Sequence, residues 1–157
     1  MGTRGLTKVI DTTGNVIVAQ YGQWDHYPSG QGINILNFIR GYGILDNLKP
    51  CLNKPYFVSD SEISTLTAPH GEQWDSFYPQ FSRNTCSDIL KVVYYSSGRV
   101  PLLDSSEFET DDLFCEGVFT IDFQNSKFVN TFGSVVVEFD FDNLPSDEEY
   151  LQAFSRS

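Results

Sequence analysis

The sequence predicts a single α+β domain over residues 1–157. An antiparallel sheet is built from an N-terminal hairpin and a C-terminal three-strand meander, with several short helices between them. Three observations lead there. Two β-rich runs near the N-terminus flank a turn signal, apolar residues in the middle recur at helical spacing, and the last third alternates apolar and polar residues around two turns.

Residues 5–11 (Gly-Leu-Thr-Lys-Val-Ile-Asp) and 16–21 (Val-Ile-Val-Ala-Gln-Tyr) read as strands on either side of Thr12-Thr13-Gly14-Asn15, a turn tetrad. Ile33, Leu36 and Ile39 then repeat at helical spacing, with Gly41 and Gly43 as stops and a second short helix or turn over 44–52. Ser59-Asp60-Ser61-Glu62 has the spacing of a capping box and predicts another brief helix. Thr85 or Ser87 is expected to cap a helix through Ile89, Leu90, Val93 and Tyr94, ending at Ser96-Ser97-Gly98. Residues 99–112 read as an acidic, mobile connection. Runs 114–123, 127–132 and 135–141 form the meander. Alternation puts Cys115, Phe119, Ile121, Phe123, Val135, Val137, Phe139 and Phe141 inward, with Glu116, Thr120, Asp122, Glu138, Asp140 and Asp142 outward. Pro145 and the acids that follow it start a terminal helix.

A hydrophobic content of 40%, with 15% aromatic residues, marks a chain that buries a core rather than a disordered one. No apolar run approaches the ~18 residues of a membrane span, and residues 1–5 lack the apolar stretch of a signal peptide. Three cysteines without a CxxC pair read as reduced thiols in the cytoplasm. No zinc cluster, calcium loop, P-loop or dinucleotide fingerprint is present, so no metal or cofactor is expected.

Charge is distributed unevenly. The net charge is −11. Residues 1–100 hold eight acids and eight bases, whereas residues 101–157 hold thirteen acids against Lys127 and Arg156 alone. Such a surface repels phosphate backbones, which disfavours direct nucleic-acid binding, and attracts a basic protein surface instead. Glu116, Asp122, Glu138, Asp140 and Asp142 are the expected partner-binding residues. Carboxylates two residues apart on a strand stand ~6–7 Å apart, close to the phosphate spacing of one nucleic-acid strand.

A repeated phrase marks a second candidate. Gln23-Trp24-Asp25-His26-Tyr27-Pro28 returns as Gln73-Trp74-Asp75-Ser76-Phe77-Tyr78-Pro79, and the two copies hold both tryptophans. Trp24, Asp25, His26, Tyr27, Trp74 and Asp75, with Arg4 as a cation, are candidate ligand-binding residues. The indoles would stack on a flat, nucleotide-like ligand and the carboxylates would hold its donors. The alternative is that both tryptophans plug the core. No nucleophile motif accompanies His26: G-x-S-x-G is absent, and pairing Cys86 or Cys115 with a histidine has no support in local sequence. Met1-Gly2-Thr3-Arg4-Gly5 followed by a hairpin suggests a degenerate N-terminal-nucleophile fold, since loss of Met1 exposes Gly2, which has no nucleophilic side chain.

Three blocks give the chain a family likeness. They are Met1-Gly2-Thr3-Arg4-Gly5-Leu6, then Ala19-Gln20-Tyr21-Gly22-Gln23-Trp24-Asp25 through Tyr27-Pro28-Ser29-Gly30-Gln31-Gly32, and finally Leu113-Phe114-Cys115-Glu116 through Thr120-Ile121-Asp122-Phe123 with Leu144-Pro145-Ser146-Asp147-Glu148-Glu149. With these, the chain resembles a family of small uncharacterised proteins of bacteriophages and prophages, whose members usually carry Gly where His26 stands and an aromatic where Gly117 stands. The resemblance implies a bacterial host cell as the setting and no particular activity. The combined expectation is a small acidic accessory protein that acts by binding, with a basic host protein surface as its partner. A defence nuclease, as for an anti-CRISPR inhibitor, is the named case.

Overall fold

Hydrogen bonds made by the Asp11 carboxylate close the first turn of the computed structural model, which describes residues 2–111 and 113–155. Its Oδ1 accepts the backbone N–H of Thr13 and of Asn15, each at 2.9 Å. Gly14 takes φ 92°, a conformation glycine adopts without strain. The hairpin is therefore formed as the sequence implies, from β1 (Gly5–Ile10) and β2 (Val16–Gly22). The meander is also present, as β5 (Gly117–Asp122), β6 (Lys127–Phe132) and β7 (Val135–Asp140).

The two units share one five-stranded sheet of order β2-β1-β5-β6-β7. β1 pairs parallel with β5, from Gly5 opposite Gly117 to Ile10 opposite Asp122. The sheet is thus mixed rather than purely antiparallel. The reason is topological: the whole helical middle of the chain forms the crossover that a parallel pair requires. That middle runs through α1 (Ile33–Ile39), α2 (Ile44–Leu48), α3 (Asp60–Thr67), α4 (Trp74–Phe77) and α5 (Ile89–Tyr95), and the chain closes with α6 (Asp147–Ser155).

One face of the sheet carries the core. Val9, Val18, Phe119, Ile121 and Phe128 pack there against Ile35, Leu36 and Ile39 of α1, Ile89, Leu90 and Val93 of α5, and Tyr150 of α6. Tyr150 is fully buried and donates its hydroxyl to Asn130 Oδ1 at 2.8 Å. Arg40, at the end of α1, clamps the start of α6 through Asp147 at 2.6 Å and the Pro145 carbonyl at 3.0 Å. Ser59 and Glu62 form the expected capping box on α3.

Three expectations are corrected. Residues 99–111 are not a loose connection, and Asp112 lies outside the described residues. Val100, Pro101 and Leu102 are buried as β4, paired parallel with β3 (Pro55–Phe57), and a 3-10 turn follows at Ser106–Thr110. Neither Thr85 nor Ser87 caps α5. Thr85 Oγ1 donates to the Pro79 carbonyl and Ser87 Oγ to Gln31 Oε1, so both hydroxyls tie segments together instead. On β5, Thr120 and Asp122 point away from the core and are nonetheless buried, in a groove that Glu109, Asp111, Cys115 and Glu116 line on that outer face.

Candidate functional site

Three glycines align across three neighbouring strands. Gly5 on β1 stands opposite Gly22 on β2 and opposite Gly117 on β5, which leaves a shallow trough on the core face of the sheet. The first QWD loop lies in it. A β-carbon at Gly5 would come within 2.8 Å of His26 Cβ, one at Gly117 within 2.1 Å of the His26 carbonyl oxygen, and one at Gly22 within 2.1 Å of His26 Cε1. Glycine within a strand marks a close approach of another segment, and here that segment is the His26 backbone and ring.

Backbone hydrogen bonds hold the loop in place. His26 N donates to the Thr3 carbonyl at 3.0 Å, and Gln31 N to the Asp25 carbonyl at 2.7 Å. Asp25 takes φ 59°. Its carboxylate accepts the Tyr27 hydroxyl at 3.2 Å, and the negative charge beside that phenol raises its pKa. His26 has no solvent exposure. Its Nδ1 lies 2.9 Å from the Trp24 carbonyl. A carbonyl only accepts, so Nδ1 carries the proton and Nε2 is a bare lone pair. Nε2 is buried without a hydrogen-bond partner. Burial lowers the imidazole pKa to about 4, against the smaller opposing effects of the Trp24 carbonyl and Asp25.

The other QWD residues are less enclosed. Trp24 is 43% exposed and donates Nε1 to Asn84 Oδ1 at 2.8 Å. Gln23 N donates to the Arg83 carbonyl at 3.1 Å. The first copy is thus bound by Arg83, Asn84 and Cys86, residues beyond the second copy, while Trp74 and Asp75 sit on α4 between two 3-10 turns. Beside them His70 stacks on Phe77 at 4.0 Å. Arg4 lies on the opposite side of the hairpin, its guanidinium 5.1 Å above the Phe114 ring. Position 2 accepts only glycine: a β-carbon there would lie 2.3 Å from the Gln23 carbonyl oxygen and 2.4 Å from the Trp24 ring. A nucleotide-like ligand at this loop would have to use Trp24 and Asp25, because His26 is fully buried.

The expected partner-binding carboxylates divide into three settings. Glu138 and Asp140 are exposed on the outer face of β7, an edge strand, with Glu138 3.2 Å from Lys127. Glu116 is exposed at the entrance to β5. Asp122 is 7% exposed and committed to its turn, accepting the N–H groups of Gln124 and Asn125 at 2.9 and 3.1 Å and the Asn125 side chain at 2.9 Å. Asp142 lies past the end of β7 and lines a separate cavity of about 600 Å³ with Tyr42, Phe123 and Phe141. β6 runs between β5 and β7, so the two acidic strands are not neighbours.

A groove of about 510 Å³ runs along the outer face, floored by Ile10, Val118 and Val129 and walled by Glu109, Asp111 and Glu116. Lys8 pairs with Glu109 at 2.7 Å. Within the groove the Cys115 thiol is pushed up to about 11, by burial first and then by Glu109, Asp111 and Glu116. Among the described residues no group of three or more His, Cys, Asp or Glu side chains is placed to hold a metal ion, and no helix is long and apolar enough to cross a membrane.

Compared with protein-family models, curated proteins and solved structures, the chain matches none of them.

Proposed function

We propose that the protein acts by binding, and that its ligand is a basic protein surface held against the outer face of the sheet. The observation that supports this reading is the field along that face. Glu109, Asp111 and Glu116 stand close enough to Cys115 to oppose loss of its proton. Glu138 and Asp140 extend the same sign along β7, where Lys127 is the one neighbouring cation among the described residues. Successive outward carboxylates on β7 are ~6–7 Å apart, a spacing that suits cationic side chains arranged to receive a nucleic-acid backbone. A nuclease channel of a bacterial defence system is such a surface, and occupying it would inhibit the enzyme.

The test compares wild type with the double variant Glu138→Lys, Asp140→Lys. Both side chains are exposed, so the fold should persist. A partner recovered with wild type from bacterial lysate and then purified should bind the double variant at least ~10-fold more weakly at low salt, with a smaller difference at high salt. Nucleic acid should compete for the same partner. A folded double variant with unchanged affinity at every salt concentration would remove the acidic face from the interface.

A further inference from the structure

The glycine trough brings together two side chains that local sequence keeps apart. Cys86 is 60 residues from His26 in the chain, yet the point a Gly22 β-carbon would occupy lies 2.8 Å from His26 Nε2 and 2.9 Å from Cys86 Sγ. We propose that Cys86 and His26 form a nucleophile and base pair for transfer of a small acyl group, closed to solvent in this structure.

Three features support that assignment. The base is oriented and unoccupied: Nδ1–H is held by the Trp24 carbonyl, and Nε2 is a buried lone pair with no donor. An imidazole fixed at one nitrogen by a backbone acceptor and free at the other is how a general base is presented to a nucleophile. Second, the thiol borders the same point as Nε2, beside the Gly22 α-carbon, and its own acceptors are at long range only, 3.8 Å to the Trp24 carbonyl and 3.7 Å to the Arg83 carbonyl. The S–H···Nε2 bond is not made here and forms when the thiol leaves those carbonyls. Third, Cys86 takes φ 52°, a left-handed conformation that a non-glycine residue adopts only when its surroundings enforce it. Burial raises the thiol pKa and lowers that of the imidazole, so at neutral pH both are uncharged and the thiol needs its base.

The step balances without any further reactant. Sγ bonds to the acyl carbon of an ester as the S–H proton passes to Nε2. Collapse of the adduct breaks the carbon–oxygen bond, and the imidazolium returns its proton to the departing alcohol. The product is an S-acyl Cys86. Both side chains are buried, His26 fully and Cys86 to 3% exposure, and the Trp24–Asn84 hydrogen bond ties the QWD loop to the segment that carries Cys86.

Incubation with p-nitrophenyl acetate tests the assignment, with p-nitrophenolate release and peptide mass spectrometry as readouts. Acetylation should fall on Cys86 ahead of Cys51 and Cys115. His26→Gln should slow it by about 100-fold, the scale of general-base assistance, with circular dichroism unchanged. Asn84→Ala leaves the pair intact while freeing Trp24, and should speed acetylation severalfold. Acetylation of Cys51 or Cys115 at a rate equal to Cys86 would overturn the proposal, and so would a folded His26→Gln protein acetylated at the wild-type rate. Should His26→Gln fail to fold, the site of acetylation in Asn84→Ala decides alone: any cysteine other than Cys86 refutes the pair.

Discussion

Acid should destabilise the protein through His26, by an amount that follows from its burial. The ring has no exposure, and its pKa in the folded state is lowered from 6.5 to about 4. Between those values the unfolded chain binds a proton that the folded chain does not. Stability therefore rises with pH across the window. The contribution of the neutral ring is complete above pH 6.5 and is lost progressively as the pH falls toward 4. At about 1.4 kcal/mol per pKa unit the full loss is about 3 kcal/mol, a large part of a typical domain's stability. Urea unfolding at about pH 7.5 and about pH 4.5, for wild type and for His26→Gln, isolates the effect. Glutamine keeps an N–H for the Trp24 carbonyl and does not titrate. Asp11 and Glu149, whose pKa values are lowered chiefly by backbone hydrogen bonds from Asn15 and Ser146, lose their contributions at lower pH and equally in both proteins. Wild type should lose about 2.5 kcal/mol more than the variant between the two conditions. Equal losses would show that His26 accepts a proton in place, and the sealed, neutral ring would be wrong.

Two further outcomes concern the scaffold. Gly117→Ala places a β-carbon against the His26 carbonyl oxygen and should cost about 3 kcal/mol in urea unfolding, whereas Gly98→Ala, with open space around it and no positive φ, should be neutral within ~1 kcal/mol. Ser59→Ala removes the α3 capping box, yet α3 buries no residue, so amide exchange at Glu62 should accelerate while global stability shifts by less than ~0.5 kcal/mol.

How far the fold could be read from sequence followed the range of the interactions involved. Hairpin, meander and capping box rest on contacts within a few residues, such as Asp11 with Thr13 and Asn15, and Ser59 with Glu62. Local patterns specify those. The parallel β1–β5 pair joins residues more than a hundred positions apart, and no pattern in either strand announces its partner. β3 and β4 have three residues each, too short to alternate, so Val100-Pro101-Leu102 read as connection although it is buried. The outward carboxylates were legible as a row on β7 because alternation governs an edge strand. Asp122 is buried instead because the same alternation does not report that the preceding segment lines the face or that a turn claims the carboxylate.

The likeness between the two QWD phrases drew attention to shared residues, while the structure draws it to residues that differ. Ser76 stands in the second copy where His26 stands in the first, and only the first copy enters the glycine trough. In the sequence Gly5 opens the first expected strand, Gly22 follows the second and Gly117 lies inside the run 114–123, and no local pattern relates them. Their meaning comes from register: β1 sets all three in one row, and only then does the row leave room for an imidazole. Cys86 reaches that ring through the 3-10 turn that packs on β2, a placement fixed by tertiary contact. The acidic face and the thiol–imidazole pair occupy opposite sides of one sheet, so charge reversal on β7 and substitution of Cys86 act on separate surfaces. Partner affinity that follows Glu138 and Asp140 but not Cys86, with acetylation that follows Cys86 but not Glu138 or Asp140, would establish two independent sites. If either substitution moved both readouts, β1 and β5 would be the path, since both strands present one face to each site.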